Sequence, residues 1–519
     1  MSTAGPRERE RTATGAGLGL RRGPWALAWL WLFWFAASLL LYWPGLRAGY
    51  FSDDLLFFYY SPPRHLWDYF AQRGAAAQAY RPLEAIILSL IQQKFRFETL
   101  PIHLLSLSAH AGLCCIVWTA ARKLEFRPIE RWFACILMLV AQVGVPALLG
   151  NDTLSQSASA FLGSLSALFL AAIWWRERER DPAGGSGKWL IASVAAYTGS
   201  LFFKETGLGF ALVAALLIGA IAFKDRPWKV GLTRAALLAL PYGAATLAYL
   251  AARLHAGGAV SHSGSYQIRV GLNVIRNILE FTLAAFGPMS TVDGAVALAM
   301  HRIPELMVDV LGCLLILAVM AAGILVPNKG KLAVWLTALA LASLFPAYLL
   351  THVSELYLYN AVPFLALVMG MAFGGLWYRT RWLKAASGVC AALLVCGQIY
   401  AVREKAGLMA LNGIRAGEIY SDIDRILPAL RPYTRIFLVN SSDRNPEYSV
   451  FLLKGFDVVD LGNLRIGPIL GRPDVRVELI EEPQVEKMEG REDAVFFSQN
   501  SRGGLQPYRL AAGGPPRSR

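Results

Sequence analysis

Charge is scarce in this chain: 17% of its 519 residues are Asp, Glu, Lys or Arg, against 55% hydrophobic. So small a charged fraction, broken up by long apolar runs, excludes an ordinary soluble domain. The Lys and Arg behind the net charge of +14 stand in short clusters between those runs, as topology signals do, which argues against nucleic acid as a partner. No Cys-x-x-Cys is present. Cys114, Cys115, Cys313, Cys390 and Cys396 lie within apolar runs and Cys135 begins one, so they read as small buried hydrophobes with no redox or metal role. No internal repeat is visible. No small-x-small cleavage site cleanly follows the first run, Trp25 to Leu46, which reads as a retained anchor.

What the chain does have is a succession of apolar runs, each near the ~20 residues needed to cross a ~30 Å bilayer core. Arg7, Arg9, Arg11, Arg21 and Arg22 precede the first run and place segment 1–24 in the cytoplasm. Spans are then expected at 25–46, 99–121, 132–149, 157–175, 189–203, 207–223, 232–251, 305–326, 332–351, 356–377 and 385–402. Those eleven put Arg122-Lys123, Arg176, Lys224, Lys329 and Arg379 in cytoplasmic turns, as the positive-inside rule asks. The stretches 82–97 and 273–287 carry too many polar residues to span and are expected as helices along the outer surface. The fold class expected is a polytopic α-helical membrane protein with a small extracytoplasmic α/β domain over 403–510 and a disordered tail, 511–519. In that domain a helix at 414–430, a strand at 435–439, a helix at 447–454 and a strand at 456–461 are expected.

With this topology the unusual polar residues fall on one side. Asp53 and Asp54 follow the first span; Arg81, Glu84, Asn151, Asp152, Lys204, Glu205, Arg253, His255, His262, Arg269, His352 and Glu355 stand at or near the outer span ends. Ionisable groups at membrane depth usually face a cavity or one another, so a shared outward cavity is expected. Asp53 or Asp54 beside it is placed to take a proton from an incoming nucleophile; the alternative is a helix cap in a solvated loop. His103 and His110 share a helix face but have no third ligand at metal spacing, so packing and hydrogen bonding are expected and no metal site is assigned. Asp53 and Asp152 would hold a divalent cation if they approached each other.

The order Phe51-Ser52-Asp53-Asp54, Tyr80-Arg81-Pro82-Leu83, Leu100-Pro101-Ile102-His103, Asn151-Asp152, Phe203-Lys204-Glu205-Thr206 and Glu355-Leu356-Tyr357-Leu358-Tyr359 resembles the GT-C glycosyltransferases, especially the protein O-mannosyltransferases and their bacterial relatives. The resemblance extends over about 360 residues and implies a GT-C-like membrane domain, 25–402, with catalytic outer loops 47–98 and 252–304. It implies transfer, with inversion, of a sugar from a polyprenyl phosphate to a protein, lipid or glycan acceptor, in a bacterial inner membrane with the site facing the periplasm. Asp53 would be the general base and Asp54 and Asp152 its helpers, with Arg81, Glu84, Lys204, Glu205, Arg253, Glu355 and Tyr359 binding substrate. Two rivals stand beside it: a secondary transporter, which would show related halves, and a scaffold or polysaccharide-export protein whose outer acids only bind.

Overall fold

The computed structural model describes residues 25–59, 65–71, 79–178, 186–257, 267–351, 353–440, 450–460, 462–488, 491–500 and 503–508. Segment 1–24, His262, His352, the tail 511–519 and residues 447–449 lie outside them; the rest of the helix expected at 447–454 is described and is irregular chain without helical bonding. Among the described residues, seven helices are long and apolar enough to cross a membrane: Trp25–Arg47, Leu100–Lys123, Leu154–Glu177, Glu205–Phe223, Trp228–His255, Ile303–Leu325 and Arg381–Ala429.

The other four expected spans are helical too, but each departs from a straight crossing. Pro128–Leu139 and Gln142–Leu149 form a pair bent by 42°. Ser186–Phe203 ends at the Lys204-Glu205 break. Gly330–Ser343 and Val362–Trp377 are shorter than expected, because Pro346 ends the first approach and Pro363 sits at the start of the second. Close packing relies on missing side chains. A Cβ on Gly370 or Gly374 would lie 2.6 Å from Ala134 or 2.5 Å from Glu130, so the helix Val362–Trp377 can approach Pro128–Leu139 backbone to backbone. The two polar stretches expected at the surface are the helices Pro82–Phe95 and Leu272–Phe286.

The chain leaves the bundle along one continuous helix, Arg381–Ile426, of 46 residues and roughly 70 Å. The domain boundary expected at 403 therefore falls inside a helix. Arg403, Glu404 and Lys405 interrupt the apolar run, but no Gly or Pro there breaks the helical hydrogen bonding. Beyond it lies a four-stranded sheet: β1 (Arg435–Asn440), β2 (Arg476–Glu481), β3 (Ala494–Gln499) and β4 (Leu505–Pro507), in the order β2-β1-β3-β4. β1 runs parallel to both neighbours and β4 antiparallel to β3. The strand expected at 456–461 is instead the 3-10 turn Gly455–Val459, whose buried Phe456, Val458 and Val459 imitate a strand pattern. Asn440 fixes that turn, its amide donating to Asp457 at 2.6 Å and its oxygen accepting from the Phe456 N–H at 3.3 Å.

Candidate active site

Three interruptions of helix meet at one end of the bundle. The first follows Trp43-Pro44-Gly45, where the chain turns through Gly49 into the 3-10 turn Ser52–Phe57. Ser52 adopts φ 52°, a left-handed conformation that is costly for a non-glycine residue, immediately before the two acids. The second is Gly150 to Thr153, ahead of the helix Leu154–Arg178; the Thr153 hydroxyl closes it on the carbonyls of Pro146 and Gly150. The third is Lys204-Glu205, between Ser186–Phe203 and Gly209–Phe223.

Asp54 joins the first two. Its Oδ1 accepts the backbone N–H groups of Asn151 and Asp152 at 3.0 and 3.1 Å; its Oδ2 accepts the Asn151 side-chain amide at 2.9 Å and the Phe51 N–H at 3.1 Å. Four donors occupy this buried carboxylate, so its geometry is that of a clamp between loops. Asp53 and Asp152 remain half-buried, and carboxylate oxygens of all three acids lie within 4.8 Å of one another. Hard oxygen donors of this kind suit Mg2+ or Mn2+, with Asp53 and Asp152 holding the spare capacity.

Cations stand beside the acids. The Arg81 guanidinium reaches Glu205 through two contacts of 3.4 Å, Glu84 at 3.6 Å and the Asp152 carbonyl at 3.4 Å, and lies 5.3 Å over the Phe57 ring. Glu84 accepts the Ser155 N–H at 2.7 Å. Glu84 and Asp54 thus satisfy donors at or just before the start of the helix Leu154–Arg178, where the helix dipole favours negative charge. Lys204 is 2% exposed, and its ammonium forms no ion pair with a described residue.

This crowding sets the protonation chemistry. Burial, with the charge of Asp152, pushes the Asp53 carboxyl up to about 7. Burial raises Asp54 as well, helped by Asp152 and Asp53 and opposed by the donors from Asn151 and Phe51. Glu84 is pushed up by burial to about 7 against the pull of Arg81. Burial and then the Arg81 charge bring Lys204 down to about 8. A base near neutrality and a cation that can lose its proton above it are properties of a reactive site.

Arg253 connects at one remove: it donates to the Tyr249 hydroxyl at 3.2 Å, and that ring packs against Tyr80 and Phe202. Glu355 and Tyr359 make their contacts elsewhere. Glu355 pairs with Lys405 at 2.7 Å and accepts the Thr291 hydroxyl at 2.7 Å, and the Tyr359 hydroxyl bonds His110 Nδ1 at 2.7 Å. The imidazoles are structural: His110 also meets the Leu139 carbonyl, and His103 the Leu46 carbonyl. Arg276 and Arg302 are spent on Glu280 and Glu305 at the surface, and Arg269 on Gln267. Sequence reasoning missed Lys405. Its spacing from Ala401, Val402, Ala406 and Met409 on one buried helix face was the available signal.

No family model and no curated protein matches this chain. Among solved structures, ArnT from Cupriavidus metallidurans in the apo state aligns over 92% of this chain and 94% of its own, with a TM-score of 0.51 and 12% identity. The chain shares the fold of ArnT. ArnT bound to undecaprenyl phosphate aligns over the same shares at 12% identity, with a TM-score of 0.47. With its apolar helices, the fold shared with apo ArnT makes the chain an integral membrane protein.

Proposed function

We propose that this protein is a glycosyltransferase that moves a hexosyl or pentosyl group from a polyprenyl-phosphate donor to a protein, lipid or glycan acceptor, at the periplasmic face of a bacterial inner membrane. The observation that carries the reading is Lys204, a buried ammonium in no direct ion pair with a described residue, adjacent in the chain to Arg81's partner Glu205 and within the electrostatic reach of Glu205, Asp152 and Glu84. A buried unpaired charge is costly, and an anionic ligand such as a lipid phosphate offsets that cost. The fold shared with ArnT agrees with it.

In this reading Asp53 takes the proton of the acceptor hydroxyl as its oxygen attacks the anomeric carbon. The bond from that carbon to the phosphate oxygen breaks, and the electron pair leaves with the lipid phosphate, so a single displacement inverts the anomeric centre. Lys204 neutralises the charge that grows on the phosphate, while Arg81, held by Glu205 and Glu84, adds positive potential behind it. Asp54 locks the Asp53 turn to Asp152, and Asp152 raises the basicity of Asp53. A divalent cation, if bound, would sit between Asp53 and Asp152. It would compete with the proton for Asp53, so none is given a step.

The test is purified protein in nanodiscs with a panel of polyprenyl-phosphate sugars, following released polyprenyl phosphate. Wild type should release it in the presence of an acceptor; Asp53→Asn should bind the lipid and not turn over. Undiminished transfer by Asp53→Asn would remove the base from the mechanism.

A further inference from the structure

The C-terminal sheet holds a polar cavity of about 610 Å3, within the range of small-molecule sites, about 300–1,000 Å3. Its position follows from strand order. The chain passes from β1 to β2 on one side and then returns to place β3 on the other side of β1. The strand order thus reverses between β1 and β3, and a crevice at the carboxyl ends of two such parallel strands is the usual place for a ligand. Asn440 at the end of β1 and Ser498, Gln499 and Asn500 at the end of β3 form its floor.

The lining chemistry narrows the ligand. Arg415 and Lys454 are matched by Asp457 and Glu482, so the cavity has no net bias toward an anion. β3 turns at Asn500–Gly504 directly into antiparallel β4, so no helix N-terminus follows it to receive a phosphate. What remains is a floor of side-chain amides and a hydroxyl flanked by carboxylates and cations. Asn440, Gln499 and Asn500 are each held by bonds, to Asp457 and Phe456, to Gly503 and to Gly504, and the second amide hydrogens and lone pairs left over are donors and acceptors at short spacing. Vicinal hydroxyls present the same alternation.

One wall of the crevice leads to the acids. The segment that supplies Lys454, Gly455 and Asp457 continues to Gly462, where a Cβ would fall 2.4 Å from Leu55 and 3.0 Å from the Ser52 carbonyl. Three residues on, Arg465 donates to the carbonyls of Leu56 at 2.6 Å and Phe58 at 3.4 Å. The wall thus packs on the turn that carries Asp53 and Asp54.

We propose that this crevice is a binding site for a neutral saccharide and, resting on the transferase reading above, that it holds the glycan portion of the acceptor while Asp53 acts on a neighbouring hydroxyl. The experiment uses the full chain in nanodiscs, titrated with maltotriose and chitotriose, and with ADP as the anionic comparison, by saturation-transfer NMR and calorimetry. At least one neutral trisaccharide should bind saturably. Ser498→Trp, which fills the crevice, and Arg415→Ala, on the helix beside it, should each weaken that binding by about tenfold or more without lowering the unfolding temperature. Binding of ADP in place of the trisaccharides, no trisaccharide binding by wild type, or binding indifferent to both variants overturns the proposal. Asp53→Asn should bind saccharide as wild type does. If wild type transfers no sugar from any donor of the panel yet binds a trisaccharide, the transferase reading fails while the crevice stands; if wild type transfers sugar and binds no saccharide, the crevice fails alone.

Discussion

Asn151 holds Asp54 twice, through its backbone N–H at 3.0 Å and its side-chain amide at 2.9 Å, and so ties two loops 97 residues apart in sequence. Removing the carboxylate strands three buried backbone donors as well as that amide. Asp54→Ala should therefore destabilise the protein by about 3 kcal/mol or more, and Asn151→Ala, which loses one charge-assisted bond, by about 1.5–3 kcal/mol. Urea-induced unfolding in detergent measures both. Equal stability of Asp54→Ala and wild type would mean that the clamp does not form.

The base and the buried cation define a narrow working range in pH. Asp53 accepts a proton only when ionised, so kcat/KM should rise through about 7; Lys204 loses its charge through about 8, so it should fall beyond. Lys204→Arg should keep the acid limb and remove the alkaline one. Stability runs the other way on the acid side. Asp53 and Glu84, both raised to about 7 by burial, hold protons in the folded state that the unfolded chain has lost between about pH 4 and 7, so ionising them as pH rises through that window lowers stability. A rate profile flat from pH 6 to 9 would contradict this assignment.

How much of this was legible in the sequence depends on what each residue competes with. Asp53, Asp54, Asp152 and Lys204 stood out because charge in a greasy chain is expensive, and the structure gathers them. The clamp by Asp54 was hidden, since three of its four N–H donors come from a distant turn and leave no mark on local spacing. Glu355 looked equivalent to Glu205 from its place at a span end, yet it pairs with Lys405, which lay beyond the expected end of the last span. The helical segments were readable from apolar run length. The sheet was only partly so: the half-exposed β3 and the short β4 carry weak patterns, while the turn Gly455–Val459 carries a strong false one.

Gly413 on the long helix lies directly against Gly49, such that a Cβ there would fall 2.2 Å from the Gly49 nitrogen. No side chain fits without moving the strand of chain that leads to Asp53. Gly413→Leu should lower kcat by at least about tenfold, a barrier change of ~1.4 kcal/mol, while Gly417→Leu, one turn along where nothing lies within 4 Å, should not. Transfer assays on the two variants, matched for expression and lipid binding, decide it. Equal activity would show that the loop tolerates displacement.

Lys405 and Glu355 form a buried pair, 0% and 5% exposed in their side chains, with Thr291 also bonded to the carboxylate. Breaking such a pair from one side leaves an uncompensated charge, so Lys405→Met or Glu355→Leu should cost about 3–5 kcal/mol. Lys405→Met combined with Glu355→Leu should recover much of that loss, because two desolvated charges leave together. A double-mutant cycle on thermal unfolding reads the coupling. Additive single effects would mean that the two residues act separately.

Lys204 offers the sharpest separation of stability from function. Its ammonium is buried without an ion-pair partner among the described residues, a cost that the folded protein carries in the absence of ligand. Lys204→Met keeps most of the side-chain volume and removes that cost, so the unfolding temperature should hold or rise. Donor affinity should fall, by about 2 kcal/mol or more, roughly thirtyfold, because the phosphate loses a buried charge partner. Lys204→Met should also lose the stabilisation that added polyprenyl phosphate confers on wild type in thermal unfolding. A variant that is less stable than wild type but binds polyprenyl phosphate equally well would make Lys204 a structural cation and move the phosphate site away from the three acids.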